Sequence, residues 1–154
     1  MSNPGPADKG SDPQGLTVPK SVAQWRTFGH GYLPGLVRIE FGDIAPGRVT
    51  SRLVVRQELM APNGYLHAAT VIALADTSSG YGTVASLPEG ARGFTTVELK
   101  SNFLGTVREG AIACEATLTH GGRTTQVWDA RITDEATGQV IALFRCTQLL
   151  LYPR

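Results

Sequence analysis

Residues 60–82 read MAPNGYLHAATVIALADTSSGYG, and the rest of the chain takes its place around that stretch. Pro62, Asn63 and Gly64 are start signals, and from Leu66 to Ser86 the sequence is rich in Ala, Leu, Ile and small residues, with no proline until Pro88. Such a run predicts one long helix. Ala69, Ala73, Ala75, Gly80 and Gly82 let a neighbouring layer approach closely, as a helix enclosed by other elements requires.

On its N-terminal side, Leu36 to Ile44 alternates Leu36, Arg38 and Glu40 against Val37, Ile39 and Phe41. Arg48 to Glu58 repeats that period after the Pro46-Gly47 turn, which predicts a β-hairpin. Ser21 to Phe28 reads as a short helix with Ser21 as N-cap and with Trp25 and Phe28 on one face. On the C-terminal side, four strand-like runs (94–104, 111–119, 124–133 and 140–152) are separated by REG, HGG and DEATG. The expected order is β-β-α-β-β-β-β. The simplest arrangement is α+β, with an uninterrupted antiparallel meander curving around the central helix, since a sheet must bury one face against something.

Composition bounds the function. The 154 residues fit one domain, which we place at 21–154, after a tail at 1–20 too rich in Gly, Pro, Ser and Asp to offset its ordering entropy. A net charge of +1 with no Lys/Arg-rich run argues against nucleic acid or an anionic membrane as partner and for a small molecule. Cys114 and Cys146 each lie in an apolar strand-like run, so they read as buried thiols and suit a reducing cytoplasm. The most apolar window, Leu66 to Ala75, ends at Asp76, so no membrane span or export signal is expected. His30, His67 and His120 fall in different segments without ligand spacing, so no metal is expected, and GxSxG and phosphate-loop signatures are absent.

Two features of the helix bear on chemistry. The first amides of a helix have no intrahelical partner and lie at the positive end of its dipole, so the N–H of Ala68 can polarise a carbonyl, although every helix has such an end. Asp76 shares its stripe with Ala69, Ile72, Ala73, Ser79, Gly80 and Thr83, a small and apolar surface for a carboxylate. It is either a functional acid or an aspartate satisfied by water, Thr77 or Ser79. His67 could be a general base, a ring that shapes the turn through a backbone hydrogen bond, or a surface residue, and spacing favours the second.

The PNGYLHAA turn, ALADTSSGYG, FTTVELKSNFLGTVREG and GRTTQVWDARITDEATGQVIA together resemble the hotdog-fold thioesterases of the phenylacetate-pathway and 4-hydroxybenzoyl-CoA type. Their helix opens on HGG and carries an acid nine residues after the histidine; here the match is His67, Ala68, Ala69 and Asp76. The resemblance implies a hotdog fold of five or six strands around one helix, and hydrolysis of an acyl- or aryl-coenzyme A thioester. It also implies a homodimer with one continuous sheet and two sites at the interface, itself able to pair into a tetramer. Asp76 takes the family's place of base or nucleophile and the Ala68 amide that of the carbonyl-polarising donor. A helical rise of about 1.5 Å per residue separates these two by roughly 12 Å, too far to act on one carbonyl, so Asp76 is expected from the partner subunit.

Where relatives carry Gln or Asn six residues before the histidine, this chain has Ala61, with Asn63 nearby as a catalytic or capping residue. Where they carry Arg-Pro, it has Gly105-Thr106. Coenzyme A contacts therefore fall to Gly64, Ser79, Arg123, Thr124 and Thr125. No metal or organic cofactor is required by this chemistry. Two rivals stand beside it: a hotdog hydratase or dehydratase, which needs a histidine and an acid together, and a non-catalytic acyl-CoA binder.

Overall fold

A computed structural model describes residues 16–153. Two short helices, α1 (Val22–Thr27) and α2 (Leu33–Leu36), precede strands β1 (Glu40–Ala45) and β2 (Arg48–Val54). The long helix α3 (Ala68–Ala85) follows, then β3 (Gly93–Phe103), β4 (Ala111–Gly121), β5 (Thr125–Asp134) and β6 (Val140–Leu151). The expected element order is met. Of the tail expected at 1–20, residues 1–15 lie outside the described ones.

All six strands form one antiparallel sheet in the order β1-β2-β4-β5-β6-β3, and α3 packs against every one of them. This corrects the uninterrupted meander: β3 pairs with β6, not with β4, and β4 lies between β2 and β5. The link 104–110 carries the chain from the sheet's edge to its middle, pinned where the amides of Leu104 and Gly105 donate to the Ile141 carbonyl. With β4 in the centre, both halves of the sheet close on the helix. Buried residues from both sides meet in one core, among them Val49, Leu53, Leu74, Ile112, Trp128, Ile132 and Cys146.

Small residues set the helix-to-sheet distance. A Cβ on Gly82 would lie 2.4 Å from the Trp128 ring, which is fully buried and donates from Nε1 to Gln126 Oε1 at 2.9 Å. The Ser51 and Ser78 hydroxyls are hydrogen-bonded at 2.6 Å, tying α3 to β2 through two small polar side chains that satisfy each other. Both cysteines are buried free thiols. No helix among the described residues is long and apolar enough to cross a membrane.

Two strand boundaries differ from the period-2 reading. β1 begins at Glu40 because Leu33–Leu36 winds into a helical turn and Arg38 takes a left-handed φ of 59°. The alternation still orients the side chains: Val37 is buried and Leu36 is exposed. β2 ends at Val54, after which Gln57–Leu59 tightens into a 3-10 turn whose Leu59 enters the core.

Candidate active site

The turn before α3 is built by its own side chains. Gly64 has a φ of 81°, a conformation glycine adopts without steric cost, and Asn63 Oδ1 accepts the Tyr65 amide at 3.2 Å. The helix cap is His67, whose Nδ1 accepts the Ala69 amide at 3.0 Å. Asn63 therefore holds the turn and leaves the helix end to histidine. With Nδ1 accepting, the neutral ring carries its hydrogen on Nε2, facing outward from an exposed residue.

The amides of Thr70 and Val71 donate to the His67 carbonyl and that of Ala69 to the His67 ring. The Ala68 N–H makes no hydrogen bond among the described residues, and Ala68 is exposed. It stands at the first position of an 18-residue helix, where the dipole concentrates partial positive charge.

Two turns further on, Asp76 is half-buried on the side of α3 turned away from the core. Thr96 Oγ1, on β3, approaches Asp76 Oδ1 at 3.4 Å and donates more closely, at 2.9 Å, to Gln148 Oε1. Burial pushes the Asp76 carboxyl above the ordinary carboxylate range, and the Thr96 contact opposes that shift only in part. A cleft of about 200 Å³ opens beside it, walled by Phe28, Thr77, Gly80, Tyr81, Val84 and Phe94. Apart from Asp76, Thr77 and the Tyr81 hydroxyl this wall offers no side-chain polar group, so the carboxylate faces a mostly apolar, largely aromatic space. Gly80 fits tightly there: a Cβ on it would lie 3.0 Å from the Phe94 ring.

Not every expected residue reaches this place. Ser79 is fully buried and its hydroxyl donates to the Ala75 carbonyl at 2.9 Å, which gives it a packing role inside α3. Arg123, Thr124 and Thr125 sit at the opposite end of the helix from Ala68: the neighbouring Gln126 donates to the carbonyl of Ser86, which caps the C-terminus of α3. Tyr152 holds that corner, its hydroxyl donating to the Arg123 carbonyl and its ring 5.9 Å from the Arg123 guanidinium. Within one chain, then, Asn63, Gly64, His67 and Ala68 form one group, Asp76 a second, and Arg123 to Thr125 a third. Thr96, Phe28, Tyr81 and Phe94 were missed because their approach to Asp76 depends on β3 and α1 folding back onto α3. The only sequence signal was the aromatic pair Trp25 and Phe28 on α1, whose rings do stack edge-on at 5.5 Å.

One long helix enclosed by a curved six-stranded antiparallel sheet defines the hotdog class. Among solved structures, a mutant thioesterase from Pseudomonas aeruginosa shares this architecture with a TM-score of 0.81 at 23% identity, covering 91% of this chain and 99% of that one. The thioesterase superfamily model matches residues 63–141. A 1,4-dihydroxy-2-naphthoyl-CoA hydrolase of Listeria monocytogenes is 31% identical over 111 residues, 72% of this chain and 89% of that protein. An enzyme of the same name from Escherichia coli is 28% identical over 126 residues, 80% of this chain and 90% of the relative. This chain belongs to the thioesterase superfamily, and the expectation of a thioester hydrolase with a hotdog fold is met.

Proposed function

We propose that the protein hydrolyses an aryl- or compact acyl-coenzyme A thioester at sites shared between two subunits of a homodimer, with Asp76 of one subunit acting opposite the Ala68 amide of the other. The observation that carries this reading is the Asp76 carboxylate beside an apolar cleft of about 200 Å³ with Phe28, Tyr81 and Phe94 in its walls. Such walls suit a flat, compact acyl group better than a long alkyl chain. The aromatic acyl group in the names of the two relatives points the same way.

The division between subunits rests on distance and on exposed surface. Asp76 lies about 12 Å along the helix from the free Ala68 amide, and one carbonyl cannot meet both in a single chain. The helix side that carries Asp76 is also the side its own sheet leaves open: Ala69 is exposed, and Ile72, Ala73 and Thr77 are half-buried. Beside it runs the unpaired outer edge of β3, with Val97, Leu99 and Phe103 exposed at 55%, 40% and 46%. An apolar edge strand next to an open apolar helix face invites a second copy.

In the reaction, the Ala68 N–H donates to the thioester oxygen as negative charge develops there. Asp76, ionised, takes a proton from water while the water oxygen bonds to the carbonyl carbon; the C–S bond then breaks and the thiolate collects the proton as it leaves. Alternatively, Asp76 attacks the carbon itself, expelling the thiolate, and water opens the resulting anhydride. His67 fixes the turn that presents the amide, and its outward Nε2–H is a second donor within the same turn. Arg123, Thr124 and Thr125 supply a cation and hydroxyls for the coenzyme A moiety from the far end of α3, which a dimer with antiparallel helices brings back toward a neighbouring site.

The deciding experiment is thiol release from a panel of aryl and aliphatic coenzyme A esters. Asp76→Asn should lower kcat at least 100-fold on the preferred ester while leaving the dimer intact by light scattering. Wild-type turnover by that variant would overturn the assignment.

A further inference from the structure

A second cavity, of about 470 Å³, lies between the N-terminal helices and the start of β1, and shares only Tyr81 with the Asp76 cleft. Its lining combines two chemistries. Trp25, Phe41 and Tyr81 provide aromatic surface: Phe41 stacks on Tyr81 at 4.3 Å, with the planes 11° apart, and Trp25 lies 5.6 Å from the same ring. Arg26, His30 and Arg38 provide positive or protonatable groups, and neither arginine forms an ion pair among the described residues. Glu40 is the one acid in the lining, and its charge is taken up by Arg52 at 2.7 Å. Arg52 also binds Glu135, so Glu40 belongs to a network that includes neither Arg26 nor Arg38.

Two further features show that the cavity is built rather than left over. Tyr81 is only 7% exposed, and its hydroxyl, which makes no hydrogen bond among the described residues, is left free as a donor at the cavity surface. That oxygen lies 2.7 Å from the place a Cβ on Gly29 would occupy, so Gly29 leaves it facing the loop that forms the cavity wall. Burial pushes the Tyr81 phenol up to about 12, which keeps it protonated and a donor. Arg38 ends α2 in the left-handed conformation, where glycine is favoured and a long side chain is strained. Arg56 braces this end by donating to the Leu36 and Val37 carbonyls at 2.9 and 3.0 Å.

We propose that this cavity binds a small aromatic carboxylate, its ring against Trp25, Phe41 and Tyr81 and its carboxylate held by Arg26, Arg38 and the Tyr81 hydroxyl. Guanidinium groups pair with carboxylates in two-pronged geometry, and a flat apolar body satisfies the aromatic surface that a hydrated inorganic anion would leave bare. The site is separate from the Asp76 cleft, and binding there does not depend on turnover.

Calorimetric titration of the full-length protein with 2-naphthoate tests this, with 2-naphthalenemethanol as the uncharged counterpart and adenosine 3′,5′-bisphosphate as a nucleotide anion. The naphthoate should bind about tenfold more tightly than the alcohol. Arg38→Gly removes the cation while relieving the backbone strain, so it should melt no lower than wild type and bind naphthoate about tenfold more weakly. Tyr81→Phe should weaken binding severalfold, and Asp76→Asn should leave it unchanged. Equal affinity for the alcohol, no binding of naphthoate, or indifference to Arg38→Gly would overturn the proposal. So would a response confined to Asp76→Asn, which would place the naphthoate in the other cleft, or tighter Arg38-dependent binding of the bisphosphate, which would make this a nucleotide site.

Discussion

Asp76 carries opposite costs for folding and for chemistry. Its carboxyl is held above the ordinary carboxylate range by burial, with the long Thr96 contact pulling weakly the other way. A reaction that needs the ionised form therefore gains rate with rising pH along an acidic limb displaced upward from that of a free aspartate. Thr96→Val should move this limb higher still in a pH profile of kcat/KM, by a small amount given the 3.4 Å contact. For stability the sign is reversed. The unfolded chain loses the proton near the ordinary aspartate value of 3.8 and the folded chain only at higher pH, so between those two values the folded state binds more protons. Stability then falls as pH rises through that window, is unaffected below it, and stays reduced above it. Asp76→Asn should accordingly raise Tm at about pH 7 while leaving it nearly unchanged at about pH 3. The same substitution that stops turnover thus stabilises the fold, as expected of a carboxylate kept for function.

At the scale of the helix, the small residues of 60–82 announced an enclosed element, and α3 runs from Ala68 to Ala85 within the expected stretch. What encloses it was not readable. Gly82 is required by Trp128, a residue 46 positions away whose indole packs where a side chain would begin. Gly82→Ala forces a fully buried, hydrogen-bonded ring to move and should cost about 1–3 kcal/mol, measured by urea denaturation. The start of the helix was legible as a turn with a free amide, and His67 was legible as the ring that shapes it through a backbone hydrogen bond; it caps through Nδ1 where Ser, Asp or Asn would be the usual residue. The first amide remains open. Proline is tolerated at the first helical position, and His67 already has the extended backbone that a following proline demands, with φ −66° and ψ 135°. Ala68→Pro should therefore fold normally yet lower kcat by about 100- to 1,000-fold through loss of the one N–H, measured by thiol release.

At the scale of the molecule, Ala68→Pro and Asp76→Asn together test whether a site is shared. Mixed and reassembled, the two inactive proteins form dimers in which one site has both the Ala68 amide and the Asp76 carboxylate intact. Random pairing should restore about a quarter of wild-type activity. Sites confined to single chains would give no recovery. The exposed edge of β3 is the surface to break: Leu99→Lys in both partners should dissociate the dimer in sedimentation runs and abolish the recovery with it.

By itself the sequence determined the elements and their polarity: one long small-residue helix, six strands with one face inward, two buried thiols, and an acid placed on an apolar helix stripe. Those follow from local periodicity and composition, which act over a few residues. The tertiary structure decided that β3 leaves β4 and pairs with β6, that Phe28, Tyr81 and Phe94 form a largely apolar wall next to Asp76, that Ser79 faces the core, and that Arg26 and Arg38 line one cavity together with aromatic rings. Each of these depends on pairings between segments distant in the chain, and such pairings are settled by how the whole sheet closes around one helix.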